Sequence, residues 1–254
     1  MTVEIAHNID CGTVVIGSDA HVWPGPWTCG MLAFLYVVAE LQPAGVILNG
    51  DVFDGASISR FPSIGWENKP TIAQELEACK EFVNDIAEVS PDAWHDWPLG
   101  NHDLRYETRL ANEIPEYAGI FGMHLKDHMA AWSPCWSVDL NHGQAWVKHR
   151  KSGGVHAAYN NTLRTGVTMV TGHTHQLSVS RWDDRRGTRW GIEDGFLADP
   201  AGPQFVHYTE NDRGNWHVGF AVLTFVGGRL LPPELVYVDP EARTYDFRGE
   251  RRSL

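Results

Sequence analysis

The stretch Trp-His-Asp-Trp-Pro-Leu-Gly-Asn-His-Asp, residues 94–103, places an apolar segment directly before a polar tetrapeptide. Residues 94–99 predict a short buried strand, and Gly100 is expected to let the backbone turn sharply where the strand ends. Asn101 and His102 stand just past that strand. An amide oxygen and an imidazole are groups that bind metal ions, and an imidazole also moves protons. The same arrangement recurs at four other places in the chain.

Each of four further apolar segments is followed by histidine or aspartate. These are Asp19 and His21 after residues 14–16, Asp51 after 46–48, His149 after 145–148, and His173 and His175 after 167–171. The carboxyl ends of strands meet along one edge of an α/β sheet, where ligands bind. Five strand ends are therefore expected to bring seven candidate metal ligands and one additional histidine, His102, to one place.

The chemistry of these side chains suits two metal ions. Imidazole, carboxylate and carboxamide groups bind divalent ions such as Mn, Fe, Co, Ni or Zn. Two ions about 3.5–4 Å apart can hold the attacking and leaving oxygens of a displacement at phosphorus. One carboxylate must then bridge both ions, and Asp51 is the natural choice. Any single pair of such residues is weak evidence, whereas the ordered set of five indicates a dinuclear site.

The rest of the chain predicts an α/β fold. Helices are expected over residues 28–41 and 71–89, the second opened by a capping box of Thr71 and Gln74. Strands without intervening helices are expected near residues 220–226 and 234–238, which suggests a mixed sheet layered with helices. No linker or repeat divides the chain, so residues 1–254 are interpreted as a single domain, with residues 239–254 as a loosely packed tail.

Composition limits the classes of function. The chain has 254 residues, of which 43% are hydrophobic, and a net charge of −12. Such an acidic chain gains no long-range attraction to nucleic acid or to anionic membranes. Its four cysteines are scattered, its first residues do not resemble a signal peptide, and its longest apolar run is too short to span a bilayer. A cytoplasmic location is the expectation.

The ordered residues resemble a known signature. Asp19-x-His21, Gly50-Asp51, Gly100-Asn101-His102-Asp103, His149 and Gly172-His173-x-His175 are similar to the motifs of the calcineurin-like dinuclear metallophosphoesterases. They extend over about three fifths of the chain. A looser likeness is to the stand-alone phosphoesterases of phages and prophages. The resemblance implies a four-layer αββα sandwich in which two mixed β-sheets are flanked by helices.

The resemblance also implies roles for the motif residues. One metal ion would be bound by Asp19, His21, Asp51 and His175, and the other by Asp51, Asn101, His149 and His173. A hydroxide between the metals would attack phosphorus, and His102 would assist the leaving oxygen. The cofactors would be two divalent metal ions, Mn first, with Fe, Zn, Ni, Co or Mg as alternatives.

Some of these assignments leave alternatives open. His142 and His156 compete with His149, which is preferred because it ends a strand-like segment. Asp54 and Asp103 are expected either to orient neighbouring ligands from behind or to form ordinary loop hydrogen bonds.

The candidate residues for substrate specificity carry alternative interpretations. Lys148 and Arg150 could hold phosphate oxygens or form a solvated basic turn. Trp23 could stack on a nucleobase, as could Trp27, or pack in a loop. The segment 181–190 predicts an exposed β-hairpin, interpreted as surface or as a contact to nucleic acid or a partner subunit.

The favoured function is a phosphodiesterase acting on a small phosphate ester or a nucleotide. The alternatives are a DNA or RNA nuclease of the Mre11-like type, a phosphomonoesterase and, last, a metal-binding scaffold without activity. The net charge of −12 counts against nucleic acid as the substrate. Arg105 and Arg109 could grip phosphate, but sequence alone does not locate them. No membrane partner is expected, and the oligomeric state is left open.

Overall fold

A computed structural model describes residues 2–210 and 212–254 of the chain, apart from the side chains of residues 207 and 208. The strands are β1 Thr2–His7, β2 Gly12–Gly17, β3 Gly45–Leu48, β4 Trp94–Pro98, β5 Ser133–Leu140, β6 Ala145–Val147, β7 Thr168–Thr171, β8 Leu177–Asp184, β9 Gly187–Asp194, β10 Gly219–Val226, β11 Arg229–Leu230, β12 Glu234–Asp239, β13 Thr244–Phe247 and β14 Glu250–Ser253. The helices are α1 Cys29–Leu41, α2 Ile72–Val89, α3 Asp103–Glu113, α4 Ala157–Thr165 and α5 Pro203–Thr209. Three short 3-10 helices cover Ala56–Ile58, Pro115–Tyr117 and Leu125–His128.

Hydrogen bonds join the strands of the described residues into one mixed sheet. Its order is β14-β13-β12-β10-β2-β3-β4-β5-β6-β7-β9-β8, with β1 beside β5 and β11 beside β10. Strands β2, β3 and β4 run parallel, and so do β6 and β7. Strand β5 pairs with β4 through residues 133–135 and with β6 through residues 138–140. It therefore passes from one half of the sheet to the other.

The two halves of the sheet pack face to face. Side chains alternate along β2, so that Val14 belongs to a core cluster shared with Val138 and Val170 of the other half. The intervening Val15 belongs to a second cluster, on the side of α1 and α2. Helix α4 packs outside β7, β8 and β9. The expected layers of mixed sheet flanked by helices are confirmed, with β5 connecting the two expected sheets into one.

The two predicted helices are also confirmed. The Thr71 hydroxyl accepts a hydrogen bond from the amide of Gln74, whose side chain accepts one in return from the amide of Thr71, which completes the expected capping box of α2. Helix α1 begins after Thr28, whose side chain accepts a hydrogen bond from the amide of Met31. Both helices thus start where a side-chain oxygen satisfies an otherwise unpaired backbone N–H.

The expectation of a loosely packed tail over residues 239–254 is wrong. Strands β13 and β14 form a hairpin that continues the sheet beyond β12. Tyr245 and Phe247 are only 5% and 2% exposed, because their spacing of two places both rings on the core side of β13. Arg251 and Asp246 form a two-pronged ion pair across the hairpin, with both N–O distances at 2.8 Å.

Two observations bear on the predicted cellular location. Within residues 2–210 and 212–254, no helix combines the length and the apolar character needed to cross a membrane. All four cysteines lie in this described part of the chain, and none of them is disulfide-bonded.

Candidate metal centre

The loops that follow β2, β3, β6 and β7 meet at one edge of the sheet. The amide of Asp19 donates to the carbonyl of Gly50 at 2.9 Å, which holds the first two loops side by side. The ring Nδ1 of His149 lies 2.7 Å from the carbonyl oxygen of Asn49, so the N–H of His149 links the two halves of the sheet. Because these strands are parallel within each half, their carboxyl ends come together as the sequence predicts.

One group of candidate ligands consists of Asp19, His21 and His175. Oδ1 of Asp19 lies 3.2 Å from Nε2 of His175 and 3.7 Å from Nε2 of His21. All three residues are buried. Their candidate ligand atoms lie within 4.8 Å of one another, which is close enough for a single cation to contact all three.

A second group consists of Asp51, His149 and His173. Oδ2 of Asp51 lies 3.2 Å from Nε2 of His149, while His173 completes the group from the solvent side. A third, overlapping group joins Asp51 to His21 and His102. Asp51 therefore takes part in two of the three groups, and its role as a bridging ligand stays a prediction.

The backbone at these residues adopts an unusual conformation. Five of the seven predicted ligands have positive φ angles in the left-handed region: 52° at Asp19, 39° at His21, 51° at Asp51, 70° at His173 and 58° at His175. L-residues with side chains rarely adopt this conformation, and it costs on the order of 1–3 kcal/mol at each position. Such strain, concentrated at one place, is typical of a functional site.

Unpaired polar atoms test whether metal ions fit the site. Asn101 Oδ1 and His175 Nδ1 are buried without a hydrogen-bond partner among the described residues, and the nearest charged partners of Asp19 Oδ1, His21 Nε2 and His149 Nε2 are other candidate ligands. A buried polar atom left without a partner costs about 1–3 kcal/mol. Carboxylate, imidazole and amide atoms of this kind are ligands for divalent ions, so the residues present fit the group that they would bind.

The glycines at the strand ends serve two different purposes. Gly50 has a φ of 84°, in the left-handed region that favours glycine. Gly100 and Gly172 do not have positive φ angles, so the expectation that Gly100 is needed for its backbone conformation is wrong. They are needed for space, since a Cβ would lie 2.0 Å from Oδ1 of Asp51 at Gly100 and 2.4 Å from Oγ of Ser18 at Gly172.

The electrostatics of the site are those of interleaved acids and bases. Burial alone lowers the pKa of His21, but contacts with Asp19 and Asp54 outweigh it and raise the pKa to about 10. Burial also lowers the pKa of His149, but the charges of Asp51 and Asp19 outweigh burial and raise that pKa to about 10. The carboxylates attract positive charge strongly enough to keep protons on these imidazoles. A divalent cation would replace those protons.

Asp54 supports two imidazoles at once. Its Oδ1 lies 2.8 Å from Nδ1 of His21 and 3.0 Å from Nδ1 of His102. A carboxylate in this position fixes the tautomer and the orientation of each ring. These contacts place Asp54 beside both rings, and its orienting role stays a prediction.

Asp103 accepts hydrogen bonds from backbone amides and an indole rather than from an imidazole. Its carboxylate accepts hydrogen bonds from the amides of Asp51, Phe53 and Gly100, and from the indole N–H of Trp97, at 2.8–3.1 Å. It therefore ties the loop after β3 to the loop after β4, and orients Asp51 through its main chain.

Arg105 is a site residue that the sequence did not place. Its Nη2 donates to Nε2 of His102 at 2.9 Å, and its Nη1 donates to the carbonyl of Asp54 at 2.8 Å. Because arginine only donates hydrogen bonds, Nε2 of His102 acts as an acceptor and the ring proton is on Nδ1, facing Asp54. The spacing of three between His102 and Arg105, at the start of a helix, is the signal that could have identified this contact.

A buried carboxylate beneath the site also escaped the sequence prediction. Asp194 accepts hydrogen bonds from the Ser18 hydroxyl at 3.0 Å and from the Asn49 side chain at 2.9 Å. Burial, together with the charge of Asp19, raises the pKa of Asp194 to about 7. The same Ser18 hydroxyl also lies within hydrogen-bond distance of Oδ2 of Asp19, so Asp194 supports the floor of the site. It stands at the end of β9, a strand end that carries no recognised motif.

The competing histidines lie elsewhere. His142 is exposed in the turn between β5 and β6, and His156 is exposed just before α4. Neither belongs to a metal-binding group of the described residues, whereas His149 is 1% exposed and lies beside Asp51. The geometry favours His149, and its role as a ligand stays a prediction.

The predicted substrate contacts are only partly located. Lys148 is half-buried, with its ammonium 6.0 Å from the Trp146 ring, and Arg150 is exposed. Burial, His149 and, more weakly, Arg150 lower the pKa of His173, which places Arg150 within electrostatic reach of the site. Trp23 is half-buried in the loop after His21, and its role stays a prediction.

Trp27 is the second tryptophan that could have stacked on a base. Its indole N–H donates to Asp85 at 2.9 Å, and its ring lies 5.5 Å from that of Phe82. The packing interpretation of Trp27 is therefore the correct one.

Comparison with known proteins finds two phage proteins that are similar to this chain. No protein-family model matches it. It is 28% identical over 250 residues to the Gene 54 protein of Mycobacterium phage L5, and 27% identical over 245 residues to the Gene 54 protein of Mycobacterium phage D29. Each alignment covers 88% of this chain and 92% of the phage protein. The expected likeness to phage proteins is confirmed.

Two solved structures show a low overall similarity to the fold of this chain. A candidate diadenosine tetraphosphatase has a TM-score of 0.43 at 13% identity, covering 92% of this chain and 98% of that one. YfcE, a phosphoesterase from E. coli, has a TM-score of 0.40 at 14% identity, covering 87% of this chain and 98% of its own.

Proposed function

We propose that this chain is a metal-dependent hydrolase of phosphate esters, and within that class a phosphodiesterase. The observation that carries the proposal is the pair of adjoining ligand groups at one buried edge of the sheet, with Asp51 between them. His102 lies 4.0 Å from Asp51 and provides a group for proton transfer, and Arg105, which contacts His102, provides a group for phosphate binding.

The two groups would each hold a cation. Asp19, His21 and His175 would hold one, and Asp51, Asn101, His149 and His173 the other, with Asp51 shared between them. When bound, two divalent ions supply Lewis acidity and a template that orients the substrate. Manganese is the first candidate, and Fe, Zn, Ni, Co and Mg are alternatives.

His102 is the residue that assists the leaving oxygen. Asp54 holds its Nδ1–H at 3.0 Å, which directs Nε2 away from Asp54, and Nε2 lies 4.0 Å from Oδ2 of Asp51. Once Arg105 releases Nε2, that atom can take up a proton from solvent, and the resulting imidazolium, with its Nδ1–H held by Asp54, can donate this proton to the leaving oxygen. Such proton transfer contributes roughly 10²–10⁴-fold to a rate.

Arg105 is the residue that binds a phosphate oxygen. Its guanidinium is permanently charged and offers donors in a planar fork that matches phosphate. A phosphate oxygen entering beside His102 would compete for Nη2 and draw the arginine away from the imidazole. Binding of substrate and release of Nε2 would then be one event.

Apart from the charge of the proposed metal ions, the fixed side-chain charge in contact with His102 matches a diester. A phosphate monoester carries close to two negative charges at neutral pH, whereas a diester carries one. Arg105 supplies one fixed positive charge in direct contact with His102. Lys148 and Arg150 flank His149 in the sequence and would contact the remainder of the substrate.

The test is an activity panel on metal-loaded protein. Metal-free protein would be reconstituted with Mn, and separately with Fe, Co, Ni, Zn or Mg, and offered bis-p-nitrophenyl phosphate and p-nitrophenyl phosphate. We expect hydrolysis of the diester with two metal ions bound per chain, and its reversible loss in EDTA. Asp51→Asn should lose activity and bind less metal, while Asp183→Asn, on the exposed hairpin, should match wild type. Full activity in Asp51→Asn, or faster turnover of the monoester, would overturn the proposal.

A further inference from the structure

A cleft of about 610 Å³ opens at the edge of the sheet opposite the metal centre. Its floor is formed by the turn 143–144, which precedes β6, and by residues 166–168, where β7 begins. The candidate ligands His149 and His173 follow those same strands. Four residues of β7 span roughly 13 Å at about 3.3 Å each, so the cleft and the metal centre are separate places.

The lining of the cleft is strongly basic. Four arginines line it: Arg181, Arg186, Arg189 and Arg229. Among the described residues that line the cleft there is no aspartate or glutamate. In a chain with 32 acidic residues and a net charge of −12, such a surface runs against the overall balance of charge. It is therefore a local feature that can attract an anion even though the whole protein repels one.

Two of the arginines are held in place by acids outside the lining. Arg189 contacts Asp184 and also donates to the carbonyl of Gly166 at 3.0 Å. Arg181 lies 2.7 Å from Asp183. The Nε atom of Arg189 is buried and has no hydrogen-bond partner within the described chain.

The other two arginines are not neutralised. Arg186 lies at the tip of the β8–β9 hairpin and Arg229 at the start of β11, so they belong to different walls. Within residues 2–210 and 212–254, neither forms an ion pair. Both side chains are exposed and free to meet a ligand.

The walls of the cleft are fixed before any ligand binds. Gln144 accepts a hydrogen bond from the amide of Leu230 at 2.9 Å and donates to the carbonyl of Gly228. These two bonds attach the β10–β11 hairpin to the turn 143–144. The amide of Trp190 donates to the Thr168 hydroxyl at 3.2 Å, so this half-buried indole lines the cleft in a set position. A pre-formed site loses less conformational entropy on binding.

We propose that this cleft binds the phosphate backbone of single-stranded nucleic acid. Guanidinium groups on two walls match successive phosphates, and a tryptophan at a basic surface offers a face for a base. The open form and the spread of charge suit a chain that passes through, rather than an enclosed mononucleotide. This binding does not depend on the proposed phosphodiesterase activity, and it gives a function to the hairpin 181–190.

The test measures binding without catalysis. Fluorescence anisotropy would follow a labelled 20-nucleotide oligo(dT) in EDTA, so that no metal-dependent cleavage contributes. The variant is Arg186→Ala with Arg229→Ala, both exposed, and melting curves would check that it folds. The matched control is Lys80→Ala with Arg243→Ala, which removes the same two charges from α2 and from the turn between β12 and β13.

We expect wild type and the control to bind the oligonucleotide with similar affinity at low salt. The cleft variant should bind at least about 10-fold more weakly, and its salt dependence should fall by roughly 1.4 in slope, about 0.7 for each lost phosphate contact on a single strand. Equal weakening in the control, or absence of binding by wild type at 50 mM salt, would overturn the proposal. Competition by a mononucleotide as strong as that by the oligonucleotide would also overturn it, because the cleft would then accept a single nucleotide.

Discussion

Arg105 donates a hydrogen bond from Nη2 to Nε2 of His102 across 2.9 Å. The two residues are three apart, with His102 directly before α3 and Arg105 on its first turn, so the contact follows from local helix geometry. It caps the ring atom that would pass a proton to a leaving group and places a fixed positive charge where a phosphate would lie. The proposed reaction therefore requires Arg105 to release His102 and to bind the substrate phosphate instead.

The first prediction concerns that exchange. Arg105→Ala should lower kcat/KM for the diester by roughly 10–100-fold, since a hydrogen bond to a charged group contributes about 1.5–3 kcal/mol. Much of the effect should appear in KM, because Arg105 contacts the substrate before the reaction. Steady-state kinetics would measure the split. Arg109→Ala is the matched control, because Arg109 lies one turn further along α3 and pairs with Glu113 at 3.6 Å. Equal losses in the two variants would exclude a specific role for Arg105.

The second prediction separates proton transfer from metal binding. His102→Ala should retain the metal content of wild type and lower kcat by roughly 10²–10⁴-fold. Metal analysis and single-turnover kinetics would be measured on the same preparation. Asp54→Asn should lower both quantities, since Asp54 holds His21 as well as His102. Unchanged metal content in Asp54→Asn would show that His21 does not need its hydrogen bond to the Asp54 carboxylate in order to bind metal.

The third prediction tests the close approach of two loops. Gly100→Ala places a Cβ 2.0 Å from Oδ1 of Asp51, so the carboxylate or the loop must move. We expect loss of most bound metal and a melting temperature lower by several degrees, because clashes in a packed site cost about 1–3 kcal/mol. Gly153→Ala is the control, since a Cβ there meets its nearest atom, in Thr174, at 4.0 Å. Full metal content in Gly100→Ala would contradict the need for glycine.

The fourth prediction concerns pH and stability. Glu75 is buried, its Oε1 accepts from the amide of Gly55, and its Oε2 has no hydrogen-bond partner among the described residues. Burial, and then the charge of Asp54, raise its pKa to about 8. An unfolded glutamate titrates near 4.3, so between these values the folded protein holds the extra proton. The free energy of unfolding should therefore fall as pH rises through this window.

Glu75→Gln keeps the neutral form at every pH. The variant should match wild type near pH 3.5, below the unfolded pKa, and be the more stable protein near pH 8.5, by about 1.4 kcal/mol for each unit of pKa shift. Urea unfolding of metal-free protein at both pH values measures this difference. Glu77→Gln, exposed on the same helix, should leave the pH dependence unchanged. Parallel pH dependence in Glu75→Gln and wild type would show that Glu75 is ionised in the fold.

Local pattern accounts for much that was predicted correctly. Helix α2 was evident because its apolar face, its capping box and the following proline lie within one short segment. Strands β2, β3 and β7 were evident because they are apolar runs buried on both faces. Strand β1, with the sequence Thr-Val-Glu-Ile-Ala-His, was missed because most of its residues are exposed and its stability comes from pairing with β5.

The sequence by itself determined which residues are candidates for the metal centre and that they share one edge of a sheet. That conclusion needs only the position of each polar residue just past an apolar run. Tertiary structure decided that His149 rather than His142 lies beside Asp51, that Asp103 holds backbone, and that Asp194 lies beneath Asp19. These contacts join residues 50 to 180 positions apart, such as His149 with Asn49 at a separation of 100. Periodicity describes only the near neighbours of a residue, whereas such contacts depend on how β5 carries the chain from one half of the sheet to the other.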